Sequence, residues 1–148
     1  MTEEDNLQIA AMRYIRLQYS DAISFHVRNE GIRGSRAQQM AYGSKSKKMG
    51  VLSGVSDIII LEPKGIYHGL LIELKSKKGR IQPSQTLFLD RAKAKNYMTA
   101  ICRTFDEVQE CVDEYMYQRC EHYFSTFYDN TGFVNYRDCK FCGAKKSN

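Results

Sequence analysis

The chain has 148 residues, 43% of them hydrophobic and 26% charged, with a formal net charge of +5. That length makes one domain with at most a small appendage, enough to build a real core. No apolar run approaches a bilayer span, and the opening Met1-Thr-Glu-Glu-Asp-Asn6 is acidic where a signal peptide is basic and then apolar, so the expectation is a soluble, cytoplasmic protein.

Leu7, Ala10, Ala11, Tyr14, Ile15 and Leu17 recur at helical spacing and predict an amphipathic helix over residues 4–19. Ile23 to Arg28 predicts a short strand. Residues 29–52 are polar, glycine-bearing and without clear period, which predicts a mobile loop that includes about one helical turn. Two short β-rich apolar runs follow, Asp57 to Leu61 and Tyr67 to Lys75, and predict consecutive strands. Glu62-Pro63-Lys64-Gly65 supplies the expected turn, with proline fixing φ at its second position. Ser84 caps a predicted helix to about Lys95, in which Leu87, Phe88 and Ala92 face inward and Arg91 outward. Met98 to Cys102 predicts a further strand. Thr104-Phe-Asp-Glu107 has capping-box spacing, and Val108, Cys111, Val112, Tyr115 and Met116 mark the buried stripe of a last helix. Helices interleaved with strands in this order predict an α/β core over residues 1–118.

The hairpin carries the chemistry. Side chains alternate along a strand, so Glu73 and Lys75 share a face while Leu74 points to the other and leaves its carbonyl between them. A register centred on Gly65 sets Glu73 opposite Asp57, and a slip of one residue separates them. Two carboxylates and a carbonyl are hard oxygen ligands suited to magnesium or manganese, and an ammonium beside them can orient water or offset negative charge. The plainer alternative is a hairpin with charged residues at its solvated ends. His68 falls on the second strand and is expected to be structural.

Gly54 before Asp57, the Ile58-Ile59-Ile60 run after it, the Leu71-Ile-Glu-Leu-Lys75 string and the downstream Gln85 resemble the VRR-NUC family of the PD-(D/E)xK nuclease superfamily, in its small stand-alone members frequent in phages. The resemblance runs over residues 4–116 and is sharpest from Gly50 to Gln85. Ser56 stands where the superfamily has its proline. The resemblance implies a restriction-endonuclease-like α/β core, a mixed sheet flanked by helices. It implies that Asp57 and Glu73 bind the metal, that the Leu74 carbonyl is a further ligand, that Lys75 positions or deprotonates the attacking water, and that Gln85 supports the site. A glutamate of the first helix that reaches the metal is matched by Glu4, four residues before Gln8, with Glu3 as the other candidate. Asn29 and Glu30 match a segment that lines the cleft, and read equally well as turn residues before Gly31.

Basic residues bracket the hairpin: Arg28, Arg33, Arg36, Lys45, Lys47 and Lys48 before it, Lys77, Lys78 and Arg80 after it. Such loops would neutralise phosphates and draw a polyanion to the site; as solvated loops they would only aid solubility.

Residues 119–148 differ in character and read as a C-terminal extension. Cys139-x2-Cys142-Gly143 has zinc-knuckle spacing, and Cys120-Glu-His122 could complete a Cys3His zinc site; reduced cysteines without metal are the equal alternative. Five cysteines and no export signal argue against disulfides. Tyr123, Phe124, Phe127 and Tyr128 could stack bases or pack the appendage.

The expectation that follows is a magnesium- or manganese-dependent DNA endonuclease, structure-selective in the manner of a Holliday-junction resolvase. Such an enzyme would act as a homodimer on branched DNA, because a symmetric junction suits a symmetric dimer. The alternatives are a nicking, flap-processing or restriction-like nuclease, and a non-catalytic zinc-containing DNA-binding module.

Overall fold

A computed structural model describes residues 1–27 and 34–118 in full, and the backbone of residues 124–128, 134–139 and 145–146. In chain order the elements are α1 (Glu3–Gln18), β1 (Ser24–His26), α2 (Arg36–Lys48), β2 (Ile58–Ile60), β3 (Leu70–Leu74), α3 (Pro83–Lys93), β4 (Met98–Cys102), α4 (Phe105–Tyr117), β5 (Phe124–Tyr128), β6 (Val134–Cys139) and β7 (Lys145–Lys146). Strands β1 to β4 form one mixed sheet in that order. The first two pairings are antiparallel and β3–β4 is parallel. A parallel pair needs a crossover, which α3 supplies.

The register is the one centred on Gly65: Ile58 pairs with Ile72, Ile59 with Leu71 and Ile60 with Leu70. The tight turn lies two residues further on than the expected Glu62–Gly65 segment. Lys64 and Tyr67 exchange backbone hydrogen bonds at 3.1 and 2.9 Å, with Gly65 at φ +55° inside them. Glycine accepts that left-handed angle without cost, whereas proline cannot, so Gly65 rather than Pro63 sets the bend.

On the inner face of the sheet, Ile58, Ile60, Leu70, Ile72 and Leu74 pack against Leu7, Ala11 and Ile15 of α1 and Val108, Val112 and Tyr115 of α4. Full burial of each such side chain stabilises the fold by about 1.5–3 kcal/mol. The two helices are also tied by Asp113, whose Oδ1 accepts the hydroxyls of Tyr14 at 2.5 Å and Tyr19 at 2.7 Å. Burial first, then the Asp113 carboxylate, pushes both phenols above their ordinary range. Leu17, expected inside, is 68% exposed, and Met12 is buried instead. The stripe of α1 therefore runs 7–11–12–15, one helical face, and Leu17 falls off it.

Two further expectations are overturned. Residues 36–48 are a 13-residue helix rather than a loop, opened by a capping box in which Ser35 and Gln38 exchange bonds at 2.8 and 3.4 Å. No residue of α2 is buried, so it shows no apolar period in the sequence. Second, α3 starts at Pro83 with Gln82, not Ser84, as its N-cap, since proline suits the first helical position. The extension holds a three-stranded antiparallel sheet, β5-β6-β7, in which Phe124 pairs with Cys139. Cys120, His122 and Cys142 lie outside the described residues, and of Cys139 only the backbone is described. Among the described residues no helix is long and apolar enough to cross a membrane.

Candidate metal centre and nuclease site

Asp57 precedes β2 and Glu73 is the fourth residue of β3, so the observed register carries them face to face on the outer side of the sheet. Asp57 is fixed from both sides. Its carbonyl accepts the Val27 N–H at 2.9 Å and lies 2.9 Å from His26 Nδ1, while its Oδ2 accepts the Leu74 N–H at 2.8 Å. These bonds splice the end of β1, through the backbone carbonyl, and the end of β3, through the carboxylate, onto one residue.

Glu73 is completely buried. Lys75 Nζ donates to Glu73 Oε1 at 2.6 Å and to the Leu74 carbonyl at 3.0 Å, which places the ammonium against the two oxygens expected of that strand. Gln85 Nε2 donates to the same Oε1, while its Oε1 accepts the Gln82 N–H at 2.9 Å. Gln85 thus ties the first turn of α3 to the buried carboxylate. The other oxygen, Glu73 Oε2, is buried and has no hydrogen-bond partner among the described residues. Burial is the main cause that raises the Glu73 carboxyl; the Lys75 hydrogen bond opposes it, and the charges of Asp57 and Glu4 add to it. An orphaned acceptor costs free energy unless something satisfies it.

Glu4 stands near enough for its charge to act on Glu73, and its Oε1 accepts the Ser76 N–H at 2.8 Å. Glu3, the other candidate of α1, is exposed. Gly54 explains how α3 reaches the site. It sits at φ +78°, and a Cβ there would come within 2.3 Å of the Ser84 carbonyl oxygen. Only glycine lets the chain before Asp57 lie directly on the first turn of α3. Ser56 is fully buried, and its Oγ has no partner among the described residues.

Arg36, Lys45, Lys47 and Lys48 are exposed on α2, and Lys77, Lys78 and Arg80 are exposed beyond β3. Arg28, Asn29, Glu30 and Arg33 lie outside the described residues. The residue that sequence reasoning missed is Arg103, whose Nη1 donates to the Ser76 carbonyl at 2.8 Å and the Gly79 carbonyl at 2.9 Å. Nothing in its local spacing signals that contact, which spans more than twenty residues.

The sequence profile described as the VRR-NUC domain matches residues 8–106 of this chain. The chain belongs to the VRR-NUC family. Two solved structures share the fold. One described as a VRR_NUC domain protein has a TM-score of 0.66 at 23% identity, covering 81% of this chain and 93% of its own. Another described as a VRR_NUC domain has a TM-score of 0.50 at 16% identity, covering 78% of this chain and 99% of its own. No curated protein matches. Membership in the VRR-NUC family carries a nuclease-type function in DNA processing, with DNA as substrate.

VRR-NUC domains generally use divalent metals. The donor set fits one: two carboxylates and a main-chain carbonyl converge, and a buried carboxylate oxygen is left without a partner. No group of three or more His, Cys, Asp or Glu side chains is gathered for a metal among the described residues.

Proposed function

We propose that the protein is a magnesium- or manganese-dependent DNA endonuclease, structure-selective in the manner of a Holliday-junction resolvase and acting as a homodimer. The observation that carries this reading is the fully buried Glu73, one oxygen held by Lys75 and Gln85 and the other without a hydrogen-bond partner among the described residues. Asp57, Glu73 and the Leu74 carbonyl would hold the cation. When bound, it would polarise a water and offset charge on the phosphate.

The chain's own groups do the rest. Gln85 locks the Glu73 rotamer through its contact with Oε1. The hydrogen bond from Leu74 N–H keeps the Asp57 carboxylate turned toward the strand. Lys75 Nζ positions the attacking water or, once it has released its own proton, accepts one from it. Water adds in line at phosphorus as the 3′-oxygen leaves, giving a 5′-phosphate and a 3′-hydroxyl. The lysines and arginines of α2 and of the loop after β3 neutralise flanking phosphates and guide the duplex arms. A two-fold dimer would aim two such sites at opposite strands of a junction.

The test uses labelled four-way junction, flap and linear duplex DNA with magnesium or manganese, beside Glu73→Ala and Lys75→Ala. Cleavage that disappears in EDTA and falls about 10²–10⁴-fold in Lys75→Ala supports the reading. Preference for flap or nicked DNA would replace the junction assignment with a flap-processing, nicking or restriction-like enzyme. Metal-independent binding without cleavage would overturn catalysis in favour of a DNA-binding module, with Cys120, His122, Cys139 and Cys142 as its zinc ligands.

A further inference from the structure

The segment directly after Lys75 is a β-turn, Ser76-Lys77-Lys78-Gly79, closed by the Gly79 N–H donating to the Ser76 carbonyl at 3.0 Å. Its two central residues are lysines, both exposed. A surface turn of this kind is ordinarily among the more mobile parts of a fold. Here two side chains from distant parts of the chain hold it. Glu4 of α1 accepts the Ser76 N–H at 2.8 Å. Arg103, between β4 and α4, donates from Nη1 to both the Ser76 and the Gly79 carbonyls, at 2.8 and 2.9 Å. Its own N–H is anchored on Glu107 Oε2 at 2.6 Å. The preceding residue closes the frame, since the Cys102 carbonyl accepts the Lys75 N–H at 3.0 Å. Gly79 is packed against this clamp: a Cβ there would meet Ser76 Oγ at 2.8 Å and Glu4 Oε1 at 3.2 Å.

An arginine that bridges two carbonyls of one turn forms charge-assisted bonds and fixes the turn's shape, which a lysine, as a flexible point charge, does less well. We propose that Arg103 and Glu4 are positioning residues that hold the Lys77–Lys78 turn ready to grip a DNA backbone phosphate beside the one attacked at Lys75. This rests on the nuclease reading above. A preformed grip removes the ordering cost that a free loop would incur on binding, so the effect falls on DNA affinity more than on the chemical step.

The test compares Arg103→Gln, Arg103→Lys, Glu4→Ala, the pair Lys77→Ala with Lys78→Ala, and that pair combined with Arg103→Gln. DNA affinity is measured across a salt series with the metal chelated, and cleavage is followed in steady state. Losing the lysine pair should weaken binding about tenfold and flatten the salt dependence by one to two phosphate contacts, roughly 0.9 in slope for each. Arg103→Gln should reproduce much of that change, raise KM more than it lowers kcat, and add less than about twofold on top of the lysine pair, because residues in one network are not additive. Glu4→Ala should follow in the same direction, and Arg103→Lys should lie between. Hydrogen exchange at the Ser76 and Gly79 amides, which needs no DNA, should quicken in Arg103→Gln and Glu4→Ala.

Unchanged exchange overturns the clamp. So do losses that multiply with those of the lysine pair, or an Arg103→Gln defect confined to melting temperature. Wild-type protein that neither binds nor cuts DNA overturns the proposed function itself, and is told apart because no variant is involved.

Discussion

The two faces of β3 are equally buried and serve opposite ends. From Leu70 to Leu74 every residue is at most 4% exposed. On the inner face Leu70, Ile72 and Leu74 join an apolar cluster with residues of α1 and α4, and burial there stabilises the fold. On the outer face Leu71 borders an apolar hollow of about 450 Å³ that also takes in Ile59, Leu61 and Phe88. Two residues along, the same face carries Glu73 with an oxygen that has no partner among the described residues, where burial opposes folding. Burial alone therefore does not separate core from site. What separates them is whether the polar atoms taken from water find partners.

That contrast can be broken most strongly from the inner side. Ile72→Ala should cost about 2–5 kcal/mol in denaturant unfolding, through lost transfer energy and a cavity, while fully folded variant at low temperature keeps metal-dependent cleavage. Loss of cleavage in that folded state would mean that the two faces are not independent. Gly54→Ala acts between core and site. It forces a side chain onto φ +78° and into the Ser84 carbonyl, so it should cost about 1–3 kcal/mol and lower cleavage by moving Gln85 off Glu73. Normal activity in this variant would show that the contact with α3 does not hold the carboxylate.

The smallest effect is on pH. Glu73 is raised in the folded state, so the native protein holds that proton more tightly than the unfolded chain does. With metal chelated, stability is then highest at and below the ordinary carboxylate range and falls as pH rises from that range through the raised value. Thermal melts of chelated wild type against Glu73→Gln check this. The slope belonging to Glu73 should vanish in the variant, and an identical slope would assign it elsewhere.

The opposition of Asp57 and Glu73 was legible because alternation and a glycine-centred register leave one pairing that puts both carboxylates on a single face. Met98–Cys102 was equally plain as a strand, and so was the last helix, where Thr104 Oγ1 accepts the Glu107 N–H at 3.2 Å. The other half of that expected capping box is absent, because the Glu107 carboxylate serves the Arg103 N–H instead. Gln85 was found only through family likeness, since a glutamine three residues after Gln82 signals a helix start before it signals a site. Helix α2 stayed hidden because hydrophobic periodicity reports burial, and it buries nothing. Arg103 was invisible because its partners are backbone carbonyls, which leave no mark on residue type.

The bare surface of α2 also sets how this nuclease can diverge. Thirteen residues, among them Arg36, Lys45, Lys47 and Lys48, contribute nothing to the core, so exchanges along them leave folding nearly untouched. Such surface changes are typically worth less than about 0.5 kcal/mol. The charge pattern of α2 can therefore drift while Asp57, Glu73 and Lys75 stay where the sheet holds them. Surface charge and fold are in this way free to evolve at different speeds within one small chain.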